Sequence, residues 1–154
     1  MIPLLWIALA HATTYTSIVD LDELVRASDA AVYGDVQELR TTNAGGMFWT
    51  IATVTPAGIG GNPVQVRYLG GCVDGICMTV PGAPRLEKGE RVLVFLTDGQ
   101  PTRFSDGVFH IRGDTAWADL AAVSLRDGRL PVIQAPLASL LEAAAELLPP
   151  RTNP

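Results

Sequence analysis

The pattern of apolar and polar positions changes character twice along the chain. Near the start, "SIVDLDELVRASD" (17–29) carries Leu21, Leu24 and Val25 on one helical face, with Asp20 placed to cap and Glu23 three residues later, and predicts a short helix. From Ala30 the pattern turns extended. "AAVYGDVQEL" (30–39) and "MFWTIATVT" (47–55) are rich in β-branched and aromatic residues, and Thr41-Thr42-Asn43-Ala44-Gly45-Gly46 between them is loop chemistry, so the two predict an antiparallel hairpin. A third strand, "VQVRYL" (64–69), follows the breaker run from Pro56 to Pro63.

After Pro81-Gly82-Ala83-Pro84, the segment "LEKGERVLVFLTDG" (86–99) leads from a charged turn into the most apolar strand of the chain, Val92 to Leu96, which predicts a central position. Asp98-Gly99, Asp106-Gly107 and Asp127-Gly128 then punctuate "VFHIR" (108–112), "AWADLAAVSL" (116–125) and "LPVIQ" (130–134), the short-strand rhythm of a sandwich or barrel. The ending is helical. "PLASLLEAAAELLPP" (136–150) sets Leu137, Leu140, Leu141, Ala144, Leu147 and Leu148 on one face and Glu142 and Glu146 on another; Pro136 suits the first turn and Pro149-Pro150 stop it. Such a leucine stripe is core packing, with Leu140 and Leu141 at its centre. The prediction is a mainly β fold, a small antiparallel barrel with a short N-terminal helix and a C-terminal amphipathic helix.

Composition narrows what such a fold does. At 154 residues, 48% hydrophobic and 18% charged, the chain suits one globular domain. A net charge of -5 with no basic stripe disfavours nucleic acid, because phosphate contacts need clustered Lys and Arg. The opening "MIPLLWIALAHA" is uncharged and apolar and ends in Ala10-His11-Ala12, a triplet that fits signal peptidase. The run from Ile2 to Ala10 is well short of the roughly 20 residues that span a bilayer. Residues 1–12 are thus expected to be a signal peptide, 13–148 a single β-barrel domain and 149–154 a disordered tail, with the protein exported to a periplasmic or extracellular space and no membrane span after cleavage.

Export governs how the cysteines of "GGCVDGICMTVPGAP" (70–84) are interpreted. In an oxidising compartment two thiols within reach of one another form a disulfide. Zinc lacks ligands, since His110 is the only histidine after Ala12, and a thioredoxin-like role wants Cys-x-x-Cys at a helix start. Here Val73-Asp74-Gly75-Ile76 separates the cysteines, and its Asp-Gly predicts a tight turn that sets Cys72 and Cys77 face to face at the base of a hairpin. The pair is expected to staple that loop, and Gly70, Gly71, Val73, Asp74, Gly75, Ile76 and Met78 form the expected binding loop around it.

The progression from "LDELVRASDAAVYGDV" through "VQV" to "GGCVDGICMTVPGAPRLEKGERVLVFL" resembles uncharacterised exported bacterial β-barrel proteins over about two thirds of the chain. More distantly, "SDAAVYGDV" with a Gly-Glu-x-x-x-x-Phe-Leu strand is similar to netrin-like domains, the OB-type barrels of tissue metalloproteinase inhibitors. The resemblance implies a small barrel. It does not carry over the inhibitory mechanism, which needs a free N-terminal cysteine where this mature chain would begin Thr13-Thr14-Tyr15.

Candidates for chemistry are few. His110 has Ser105 and Asp106 near it in sequence, but that spacing supplies no triad geometry and no Gly-x-Ser-x-Gly elbow exists, so it is expected to be a strand-surface histidine. Asp20, Asp22 and Glu23 lack the Asp-x-Asp-x-Asp-Gly calcium loop and fit a helix cap. Arg112-Gly113-Asp114 fits a turn better than an adhesion tripeptide. No cofactor, metal or catalytic residue is predicted. The expected function is an exported, non-catalytic module that binds a protein, peptide or glycan; the alternative is a secreted hydrolase inhibitor or an unrecognised enzyme of the cell envelope.

Overall fold

The computed structural model of the chain describes residues 21–58, 60–119 and 134–148. The expected signal peptide, the Asp20 cap, the Asp127-Gly128 turn and the expected tail lie outside them. Helix α1 (Leu21–Ala27) leads into strands β1 (Ala30–Ala44), β2 (Met47–Pro56) and β3 (Val64–Leu69), then a small separate hairpin, β4 (Gly71–Val73) and β5 (Ile76–Met78). The chain continues through β6 (Arg91–Thr97), β7 (Gln100–Pro101), β8 (Val108–Arg112), β9 (Thr115–Ala118) and β10 (Gln134–Pro136) to helix α2 (Leu137–Ala143). The fold is mainly β and its sheets are antiparallel.

The main sheet runs in the order β10-β9-β8-β6-β1-β2-β3, with β7 also paired to β6. That ladder has two ends, β10 and β3, so no closed barrel is present among the described residues, contrary to the pattern's expectation. The sheet curls without closing. One hydrogen bond, from the Arg67 N–H of β3 to the Gly99 carbonyl in the β6–β7 turn at 2.9 Å, joins its far edge to the tip of β6.

Strand β6 is central, as its unbroken apolar run predicts, because both of its faces are covered. Val92, Val94 and Leu96 point inside the curl with Val32, Val36, Ala52, Val54, Val66, Tyr68 and Val108. Leu93 and Phe95 point the other way, into a layer with Ala31, Phe109 and Ala116 that α1 caps with Leu24, α2 with Leu140, and the turn after α2 with Ala144. Helix α2 is shorter than the leucine stripe, yet Leu147 and Leu148 still pack on this layer from the turns after it. Leu140 is buried, whereas Leu141 is half-buried rather than enclosed.

Pairing and a bulge shape the far half of β1. The strand runs on through Thr41-Thr42-Asn43-Ala44, which composition predicts as loop, because these residues pair with Thr50, Trp49, Phe48 and Met47 and only Gly45-Gly46 turn. A bulge between Val36 and Glu38 inserts an extra residue, so the alternation resets there and Leu39 and Thr41 join the side on which Val32 and Val36 lie.

Candidate functional site

The Asp74-Gly75 turn forms as predicted. Both residues have positive φ, 51° and 79°, as a two-residue type I′ hairpin requires. Cys72 and Cys77 are directly opposed, with Cα atoms 4.0 Å apart, and joined by a disulfide.

Beneath this hairpin lies a cleft of about 340 Å³. Its floor is a polar network at the bulged end of β1. The buried Thr50 hydroxyl donates to the Gly70 carbonyl at 2.7 Å and sits 3.1 Å from the Thr41 hydroxyl. Thr50 has one proton, so Thr41 is the donor in that second contact. Gly71 rests directly on the pair: a Cβ there would fall 2.4 Å from Thr50 Oγ1 and 2.5 Å from Thr41 Oγ1, and its φ is +125°. The glycine pair before Cys72 therefore seats the hairpin on the sheet. Of the expected loop, Gly70, Gly71, Met78 and both cysteines line the cleft. Val73, Asp74, Gly75 and Ile76 do not; they form the hairpin's outer end, where Ile76 is 67% exposed.

The opposite wall is the segment Ala83 to Leu86, and two hydrogen bonds hold it. Tyr68, in the floor, bonds the Leu86 backbone, and burial pushes its phenol up to about 12. The Arg85 N–H donates to Asp119 Oδ2 at 3.0 Å. The same oxygen lies 3.3 Å from His110 Nε2, while His110 Nδ1 meets Glu90 Oε2 at 2.8 Å. Glu90 Oε1 in turn accepts from the Glu87 N–H at 2.6 Å.

His110 thus sits between two carboxylates, and is partly buried rather than a plain surface residue. The hydrogen bonds to Asp119 and Glu90 outweigh desolvation and raise its pKa to about 9. At neutral pH it is an imidazolium donating both N–H groups, with no lone pair for a base or a metal. Strand pairing builds the clamp: Val92 opposes His110, which brings Glu90 near, and His110 opposes Trp117, which brings Asp119 near. Parity within each strand was the only sequence signal for either partner.

The other candidates disperse. Ser105 is buried and its hydroxyl has no hydrogen-bond partner among the described residues, so Ser105, Asp106 and His110 assemble no triad. Glu23 pairs with Arg103. Arg112-Gly113-Asp114 forms the β8–β9 turn, with Gly113 at φ 62°. No group of His, Cys, Asp and Glu side chains among the described residues is arranged to hold a metal ion, and no helix among them is long and apolar enough to cross a membrane. Comparison of the chain with protein-family models, with curated proteins and with solved structures found no match.

Proposed function

We propose that this protein is a non-catalytic binding module whose ligand, a peptide or glycan segment of a partner, occupies the cleft under the disulfide-pinned hairpin. One observation carries the reading: the cleft has ligand-pocket size, about 340 Å³, and both of its walls are fixed in advance. The disulfide and the Thr41–Thr50 seat hold the hairpin, and the His110 clamp holds the Arg85 wall. A site ordered before its ligand arrives loses less entropy on association. The commitment of both His110 nitrogens to carboxylates supports a structural role for this histidine. The disulfide fits an oxidising compartment, in keeping with an exported protein processed after Ala12, and the curl fits an OB-type barrel left open between β3 and β7.

Binding to arrays of defined peptides and glycans tests this. Ligands of the oxidised protein should bind the Cys72→Ser, Cys77→Ser variant more weakly and should shift amide signals of Gly70, Gly71 and Met78. Ligands whose shifts map away from the cleft, or turnover of generic hydrolase substrates that His110→Ala abolishes, refute the reading.

A further inference from the structure

Two arginines of the main sheet lie over aromatic rings, and they differ in one respect. Arg91 is 5.8 Å from the centre of the Tyr33 ring, and its Nε and Nη2 both donate to Asp35 at 2.8 Å. Its fork is filled by a carboxylate of the same sheet. Arg67 lies closer to its ring, 4.6 Å from the centre of Trp49, yet no carboxylate among the described residues pairs with it.

Register explains the exposure of this second stack. Val66 and Tyr68 face the core, so Arg67 and Trp49 lie on the outer side of β3 and β2, where Arg67 opposes Ile51 and Ile51 opposes Arg40. A guanidinium held over an indole by its cationic centre can still offer N–H groups to a ligand, and the contact restricts its rotamers, which suits bidentate capture of a carboxylate. Arg40, also exposed, adds positive charge across the same face.

An apolar pocket adjoins it. Leu69, Pro84, Pro101 and Phe104, with the polar Arg67, Gln100 and Arg103, line a hollow of about 130 Å³ between β3 and β7, close to the ~150 Å³ that accepts a benzene ring. Phe104 is 55% exposed and stands at its mouth on two consecutive left-handed residues, Arg103 at φ 55° and Phe104 at φ 58°, a conformation that is costly without glycine.

We propose that Arg67, stacked on Trp49, and the adjoining pocket recognise a carboxylate carried beside an apolar group, the chemistry of a polypeptide's C-terminal residue. The guanidinium edge takes the carboxylate and the pocket takes the apolar side chain. This deepens the reading of this end of the sheet as a binding surface, since Tyr68, Leu69 and Pro84 line both pocket and cleft. It does not depend on the hairpin.

The probe is the tripeptide Gly-Gly-Leu with an acetylated N-terminus, titrated into the whole protein while the indole N–H signal of Trp49 is followed, identified by its loss in Trp49→Phe. The free acid should shift that signal. Amidation of the probe, or Arg67→Gln, should weaken binding about tenfold or more, and replacing the probe's leucine by serine about fivefold. Arg67→Lys should not restore affinity, because it keeps the charge and loses the fork. Octanoate binding as tightly as the peptide supports the site with a free amphipathic acid as its source. Equal affinity for acid and amide, full affinity in Arg67→Gln or Arg67→Lys, or no shift at millimolar probe overturns the proposal. The Cys72→Ser, Cys77→Ser variant should bind this probe unchanged, so failure of the cleft reading and failure of this one are separable.

Discussion

Neutralising His110 tests the clamp that fixes one wall of the cleft. In the unfolded chain the imidazole titrates near 6.5; in the folded protein the Asp119 and Glu90 carboxylates raise that to about 9. Between these values the folded state holds a proton that the unfolded state has released, so stability falls as pH rises through this window. The contribution is fully present below pH 6.5 and lost above 9. The whole interval corresponds to about 3 kcal/mol, at about 1.4 kcal/mol per pH unit. The side chains of His110 and Glu90 remain 24% and 22% exposed, so solvent screening reduces this. About 1–2 kcal/mol is the expected effect. Urea unfolding of the wild type between about pH 6 and pH 9.5 should show a loss of that size, whereas His110→Gln should start lower and lose little, so the two curves converge at alkaline pH. The Arg85 amide should exchange hydrogen faster in the variant, because Asp119 then has one partner fewer to hold it in place. Parallel pH profiles for the two proteins, or a His110 ring signal that titrates at or below 6.5, would refute the reasoning.

Packing sets three further outcomes. Leu140→Ala should cost about 2–5 kcal/mol, since Leu140 is 2% exposed where α2 meets the sheet; an unchanged denaturation midpoint would mean that α2 is not docked. Gly34→Ala should destabilise by about 1–3 kcal/mol or prevent folding, because a Cβ there would fall 2.0 Å from the Thr55 carbonyl oxygen, and neutral behaviour in a melting experiment would contradict the strand geometry. The Cys72→Ser, Cys77→Ser variant should stay folded and lose less than about 2 kcal/mol, since its loop is short, while amides of β4 and β5 exchange faster; global unfolding would show that the bond supports more than the hairpin.

What was legible in the sequence is what neighbouring residues decide among themselves. Asp74-Gly75 turns because both positions need positive φ, and that turn alone sets Cys72 opposite Cys77. The unbroken apolar run from Val92 to Leu96 announces a strand covered on both faces, and the leucine stripe announces a docked helix. Even these local signals erred where pairing outweighed composition, as in Thr41 to Ala44, whose loop-like residues are held in β1 by β2. Tertiary structure decided the rest. Whether the sheet closes depends on the curl of β3 toward the β6–β7 turn, a matter of accumulated twist that no short window contains. His110 gained its carboxylates from strands set beside it by register, and a shift of one residue would have turned those side chains to the other face. The cleft and the Arg67–Trp49 stack are likewise products of register. The reason is common to all of these: turn and helix signals are energies between residues a few positions apart, whereas a site is assembled by contacts whose partners the chain brings together only when it has folded.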